Sequence, residues 1–178
     1  MNNVYLIGMM GSGKSIVAKA LSHELMRHLE DLDAQIVQRE GRSINAIFAD
    51  AGENYFRRIE KEVLKDVSGK ENCIVATGGG IVTDPENIEL MRATGVTIYL
   101  KAPTDVLFDR LKHETHRPLL RNESPKETLD LIYRKRQALY EKADFTVDTS
   151  DKKPFEVAGK IMEYLSQQGP LSKRSGVD

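Results

Sequence analysis

The chain has 178 residues, 40% of them hydrophobic and 30% charged, which is enough apolar material for one packed core and too much for a disordered polymer. Lys plus Arg number 26 against 27 Asp plus Glu, so the net charge of -1 gives no global attraction to nucleic acid or to an anionic membrane. A single cysteine, Cys73, excludes an intramolecular disulfide framework and an all-cysteine zinc site, and no apolar run approaches the ~20 residues that span a bilayer.

In chain order, Val4 to Ile7 is a short run apolar on both faces, which predicts a buried parallel strand. Gly8 to Gly13 is a glycine-rich loop. Lys14 to about His28 has helical spacing, with Val17, Ala20, Leu21 and Leu25 on one face. Leu29 to Asp33 reads as a second strand ending in acids, and Ala34 to Glu40 as a helix stopped by Gly41. Ser43 is the expected N-cap of a helix over Ile44 to Ala51 that Gly52 stops, and Asn54 to Val67 is a charged amphipathic helix. Cys73 to Ala76 is a third strand, followed by Gly78-Gly79-Gly80. Pro85 opens a helix running to Ala93, and Val96 to Leu100 is a fourth strand. Thr104 is expected to cap a helix to about Leu111. His113 to Ser124 is polar and reads as a mobile loop. Pro125 to Tyr140 is a helix, Phe145 to Asp148 a fifth strand and Pro154 to Leu165 the last helix, while Gln167 to Asp178 reads as a frayed tail. Strands alternating with helices predict an α/β chain with a parallel sheet covered on both faces. No repeat or linker divides the chain, so one domain is expected over 1–166.

The strongest chemical signal is Gly8-Met9-Met10-Gly11-Ser12-Gly13-Lys14-Ser15, which fits G-x-x-x-x-G-K-[ST] between a strand and a helix. Glycines let the backbone N–H groups of such a loop turn inward toward phosphate oxygens, and the following helix adds the positive end of its dipole. Lys14 supplies a point charge to the β- and γ-phosphates and the Ser15 hydroxyl a ligand for Mg²⁺. The motif thus predicts a Mg²⁺-nucleoside triphosphate site without identifying the acceptor. Met9 and Met10 are expected to pack.

Other candidates are individually ambiguous. Asp31 and Asp33 could divide labour between hydrated Mg²⁺ and an acceptor hydroxyl, or form a solvated strand end. In Phe56-Arg57-Arg58-Ile59-Glu60, Arg57 and Glu60 are one helical turn apart. They are either a surface ion pair or an arginine fork for a substrate carboxylate, steered by Glu60. Gly78, Gly79 and Gly80 would leave bare backbone for a ligand, or merely connect elements. Arg117, in Arg117-Pro118-Leu119-Leu120, could close over a transferring phosphoryl group. Arg136, before Leu139-Tyr140, is either a second carboxylate clamp or a cation near a helix C-terminus. His113 and His116 lack the further ligands a metal site needs.

Taken in this order, the motifs Gly8-x-x-Gly11-x-Gly13-Lys14-Ser15, Asp31-x-Asp33, Phe56-Arg57-x-x-Glu60, Gly78-Gly79-Gly80, Arg117-Pro118-Leu119-Leu120 and Arg136-x-x-Leu139-Tyr140 resemble shikimate kinase from Val4 to Leu165. The resemblance implies a three-layer α/β/α fold of the nucleoside monophosphate kinase type. It implies a five-stranded parallel sheet, substrate-binding helices about 34–67 and a mobile lid about 113–124. It implies transfer of the ATP γ-phosphate to the 3-hydroxyl of shikimate in aromatic amino-acid biosynthesis, by a cytoplasmic monomer that binds neither nucleic acid nor membrane. Carried over by position, Gly11, Ser12, Gly13, Lys14, Ser15 and Ile16 hold the nucleotide, Ser15 and Asp31 (through water) hold Mg²⁺, and Asp33 meets the acceptor hydroxyl. Arg57 and Arg136 grip the carboxylate, Gly78 to Gly80 offer backbone to the substrate, Arg117 is the lid arginine, and Arg110 and Pro154 fall near the adenine. Ile16 stands where the family usually has Thr, Ala18-Lys19 where it has Gly-Arg, Met26 where a helix-ending Gly is common, and Leu32 where Ser or Thr is usual. The rival readings are another small-molecule kinase, such as one for gluconate, and a nucleotide-binding protein without catalysis.

Overall fold

The computed structural model describes residues 2–112 and 124–168. Five strands form one sheet: β1 (Asn3–Ile7), β2 (His28–Asp31), β3 (Cys73–Ala76), β4 (Gly95–Lys101) and β5 (Phe145–Asp148). Their order is β2-β3-β1-β4-β5 and every neighbouring pair is parallel. The helices are α1 (Lys14–Leu25), α2 (Leu32–Glu40), α3 (Ile44–Ser68), α4 (Pro85–Thr94), α5 (Thr104–Leu111), α6 (Pro125–Tyr140) and α7 (Pro154–Gln167), with a 3₁₀ turn over Ile81–Thr83.

The sheet is central because its inner strands β1, β3 and β4 expose neither face, while the edge strands β2 and β5 are partly exposed. All five residues of β1 and all four of β3 are buried. Alternation along β1 divides the core into two. Val4 and Leu6 join Ile74, Ile98 and Val147 under α1 and α7 through Val17, Leu21, Val157 and Ile161. Tyr5 and Ile7 face the opposite layer, where Ile36, Phe56, Val63, Met91, Leu107 and Leu129 pack. The chain leaves β1 for β2 and β3 on one side and later fills β4 and β5 on the other. A crevice therefore opens at the carboxyl end of β1, where the glycine-rich loop lies.

Several boundaries differ from the sequence expectation, each for a local reason. α1 stops at Leu25 because Met26 takes a left-handed conformation (φ 50°); its N–H donates to the His23 carbonyl at 3.3 Å and the Arg27 N–H to that of Ser22 at 3.0 Å. β2 ends at Asp31 rather than Asp33, because the Asp31 carboxylate caps α2 by accepting from the Ala34 N–H at 3.2 Å. Asp33 therefore sits in the first helical turn, and the expected strand-like alignment of the two acids is replaced. Thr104 is the first residue of α5, and the N-cap position is Pro103, with no side-chain cap. The helical run of α3 passes through Gly52, which is itself non-helical (φ 79°, ψ 174°); the expected stop is a kink between two helical segments. Ser43 caps α3 as expected, accepting from the Ala46 N–H at 3.2 Å. α7 extends to Gln167, into the stretch read as a tail. The expected lid, apart from Ser124, and the tail beyond Gln168 lie outside the described residues, as do Arg117, His113 and His116.

At the amino end of the sheet a buried polar cluster sits inside the core. The Tyr5 hydroxyl lies 2.7 Å from Thr94 Oγ1 and 3.0 Å from Ser68 Oγ, and the Asn3 side chain donates to the Lys70 carbonyl at 2.9 Å while accepting from the Cys73 N–H at 2.9 Å. Tyr5 and Asn3 are almost fully buried. Removing one hydroxyl there strands its partners away from water. Tyr5→Phe is expected to lower unfolding free energy by about 1–2 kcal/mol in urea titrations; no loss of stability would mean the cluster is not satisfied through Tyr5.

Candidate functional site

The glycine-rich loop between β1 and α1 owes its shape to backbone that other residues adopt rarely: Gly11 and Gly13 have φ of 79° and 90°. A Cβ on Gly11 would also press on Leu111 of α5 at 2.9 Å. Lys14 is nearly buried and turns back over the loop, donating to the carbonyls of Gly8 and Met9 at 2.9 Å each. The Ser12 hydroxyl is buried with no hydrogen-bond partner among the described residues. Met9 and Met10 are buried, as expected.

Lys14, Ser15, Ile16, Asp31, Asp33 and Gly79 border one open cleft of about 330 Å³, together with Gly11, Gly13, Thr77 and Arg110. Ser15 donates its hydroxyl to Asp31 Oδ2 at 2.8 Å. Two oxygen ligands are thus side by side at the loop's edge. No group of three or more His, Cys, Asp or Glu gathers among the described residues. A hydroxyl and one carboxylate suit a hard, hydrated cation that takes its remaining ligands from water and phosphate, which is the coordination habit of Mg²⁺.

A smaller cleft of about 180 Å³ shares Gly11, Gly13, Ile16 and Arg110 with the first and continues to Thr149, Lys152, Pro154 and Val157. Arg110 is fixed there by donating to Thr149 Oγ1 at 3.2 Å and to the Ser150 carbonyl at 3.2 Å. Ile16, 56% exposed, stands at the junction of the two clefts. Arg110 and Pro154, far apart in the chain, thus face one space.

On the other side of the phosphate loop, β3 runs into Gly78-Gly79-Gly80. Gly79 backs onto the phosphate loop; a Cβ there would lie 3.4 Å from the Met10 nitrogen. Gly78 faces the carboxylates of Glu60 and Asp33, and Gly80 faces Arg57. A Cβ on Gly78 would overlap the Glu60 carboxylate and approach Asp33 Oδ1 to 3.3 Å, and one on Gly80 would overlap the Arg57 guanidinium. Arg57 donates to Glu60 Oε2 at 2.7 Å and to Glu53 Oε1 at 2.9 Å. Glu60 is 0% exposed, so this is not a surface ion pair. Its second oxygen, Oε1, makes no hydrogen bond among the described residues. Burial pushes the Glu60 carboxyl above its ordinary value; Arg57 and then Arg136 pull the other way, and the Asp33 charge adds repulsion. Burial works against the Arg57 cation too, but Glu60 and Glu53 outweigh it and hold the guanidinium charged.

Arg136 of α6 is 8% exposed and acts electrostatically on Glu60. It lies beside the Tyr140 hydroxyl, which donates to the Gly79 carbonyl. The structure therefore brings Lys14, Ser15, Asp31, Asp33, Arg57, Gly78, Gly79, Gly80 and Arg136 around one region at the carboxyl ends of β1, β2 and β3. Sequence reading missed Glu53, which the i, i+4 spacing to Arg57 would have indicated, and Thr77, Thr149 and Lys152, for which no motif spoke.

A family model described as shikimate kinase matches residues 10–166. A shikimate kinase from Thermodesulfovibrio yellowstonii is 43% identical over 163 residues, covering 92% of this chain and 94% of that one. One from Geobacter metallireducens is 44% identical, covering 92% and 91%. Among solved structures, shikimate kinase from Acinetobacter baumannii in complex with shikimate superposes with a TM-score of 0.92 at 32% identity, covering 96% of each chain.

The buried acid has a measurable signature. With its carboxyl raised above the ordinary 4.5, the stability Glu60 contributes is full below that value and is lost as pH rises through the raised one. Glu60→Gln cannot ionise, so its thermal midpoint relative to the unmodified protein is expected to climb as pH rises above the ordinary carboxylate value of 4.5. A difference that stays flat, or falls, over that range would contradict the assigned direction.

Proposed function

We propose, because this chain belongs to the shikimate kinase family, that its site transfers the γ-phosphate of ATP to the 3-hydroxyl of shikimate, giving shikimate 3-phosphate and ADP in aromatic amino-acid biosynthesis. The observation that carries this reading is the Gly78–Gly80 segment, whose one side touches the phosphate loop and whose other side touches Arg57, Glu60 and Asp33. A nucleotide's terminal phosphate and an acidic alcohol would meet across it.

In this reading the inward loop N–H groups and Lys14 bind the β- and γ-phosphates. Lys14 exchanges the carbonyls of Gly8 and Met9 for phosphate oxygens as it does so. The Ser12 hydroxyl, buried without a partner among the described residues, offers a further donor. Ser15 holds Mg²⁺ directly and Asp31 holds it through water; the ion, when bound, neutralises charge that develops on the transferring group. Arg110 and Pro154 enclose the adenine side, with Ile16 in contact where the family usually offers a hydroxyl.

Arg57 and Arg136 would grip the planar carboxylate of shikimate, joined by the backbone of Gly79 and Gly80. Asp33, in the first turn of α2, would orient the acceptor hydroxyl and receive its proton. Such a transfer depends on in-line placement and charge neutralisation more than on a strong base. Arg117, from the expected lid, would add charge to the transferring phosphoryl group. The reading includes a cytoplasmic monomer.

Incubation with MgATP and shikimate is expected to yield shikimate 3-phosphate, and gluconate is expected to stimulate no ADP release. The opposite substrate preference would replace this reading by the gluconate one, and binding of both ligands without product would replace it by the non-catalytic one. Asp33→Ala is expected to lower kcat by at least about 100-fold while MgATP still binds. A near-normal kcat would remove Asp33 from the chemistry.

A further inference from the structure

Tyr140 is fully buried at the end of α6, where an aromatic residue would ordinarily be counted as core. Its ring does pack, stacking on Tyr99 with centroids 5.1 Å apart and planes 17° from parallel. Its hydroxyl does something packing does not require. It donates to the Gly79 carbonyl, with the Arg136 guanidinium beside it and Met9 Sδ of the phosphate loop 3.5 Å away. One oxygen atom therefore ties α6 to the glycine segment after β3, two parts of the chain 61 positions apart.

The consequence follows from the peptide plane. In a trans peptide the C=O and N–H point in opposite directions. Tying the Gly79 carbonyl to α6 aims the Gly80 N–H away from α6, and that N–H makes no hydrogen bond among the described residues. Beside it lies the Arg57 guanidinium, close enough that a Cβ on Gly80 would overlap it. We infer that Tyr140 is a positioning residue for the substrate carboxylate: its hydroxyl ties the Gly79–Gly80 peptide to α6 beside Arg136, so that a guanidinium and a backbone N–H from separate elements present a single anion-binding surface. Tyr140 touches no substrate itself, being 0% exposed. Burial lifts its phenol to about 12, which keeps the proton it donates throughout the neutral range. The inference rests on the shikimate kinase reading and adds to it a residue through which the carboxylate contacts act.

Tyr140→Phe removes the one oxygen and leaves the ring to stack. The expected result is a shikimate KM raised about tenfold, with kcat within about twofold and the MgATP KM unchanged. The effect belongs to the carboxylate, so the uncharged methyl ester of shikimate, used as a competitor, is expected to bind both proteins equally. An unchanged shikimate KM, equal weakening of acid and ester, or a variant unfolded at the assay temperature would each overturn the proposal, the last two by giving the hydroxyl a merely structural role. Absence of turnover in the unmodified protein would count against the kinase reading instead. Calorimetric binding of shikimate to both proteins would then decide about Tyr140: a tenfold difference upholds its role, and equal or absent binding removes it.

Discussion

The arrangement depends on how little space lies between the phosphate loop and the buried pair Arg57 and Glu60. Gly78, Gly79 and Gly80 fill that space, and side chains at either end of the segment would collide with Glu60 or Arg57. The glycines therefore set a distance more than they supply flexibility. Backbone alone separates the glycine-rich loop from Arg57 and Glu60. Parallel pairing of β1 with β3, Leu6 opposite Ala76, delivers both loops to the same end of the sheet. The Thr77 hydroxyl, donating to the Leu6 carbonyl at 2.9 Å, continues that registration one residue past the strand.

The same closeness has an electrostatic cost. Glu60 carries a carboxylate into the buried interior, beside Asp33, and one of its oxygens lacks a hydrogen bond among the described residues. A buried ion pair of this kind is weak support for stability. Its value lies in orientation: Glu60 and Glu53 hold the Arg57 fork from two directions, at 2.7 and 2.9 Å, leaving its plane set against Gly80. Arg136 acts on the Glu60 carboxylate from a different element, α6. Two cations thus face one buried carboxylate before any anion arrives, which is how a site prepares for a carboxylate at low cost in reorganisation. Of the departures from the family's usual residues, exposed Ile16 in place of Thr borders the glycine-rich loop, and none replaces Arg57, Glu60, Gly78, Gly79, Gly80 or Arg136.

Much of this was readable from residues in order. β3, β5 and α6 have the bounds expected from the sequence: β3 is a fully buried apolar run and α6 opens on an N1 proline, both locally encoded signals. The phosphate loop was readable because its chemistry is contiguous. The errors fall where side chains compete with backbone: Asp31 ends β2 by capping α2, and Met26 ends α1 in a conformation usually left to glycine. The site's acid-binding half was ambiguous without the family resemblance, since Arg57 and Glu60 lie on a helix rich in surface charge and only the tertiary structure buries them. Tyr140 was named without a role for a similar reason. Nothing local distinguishes a core tyrosine from one whose hydroxyl spans two loops.

Gly80→Ala tests the spacing most directly. Gly80 has φ -98° and ψ 0°, which alanine adopts, so backbone strain is not at issue. The added methyl meets only the end of a long side chain, the Arg57 guanidinium, which can swing aside. The account predicts a folded protein with unchanged MgATP affinity and a shikimate Kd raised at least about tenfold. A folded Gly80→Ala protein that binds shikimate as tightly as the unmodified chain would contradict it.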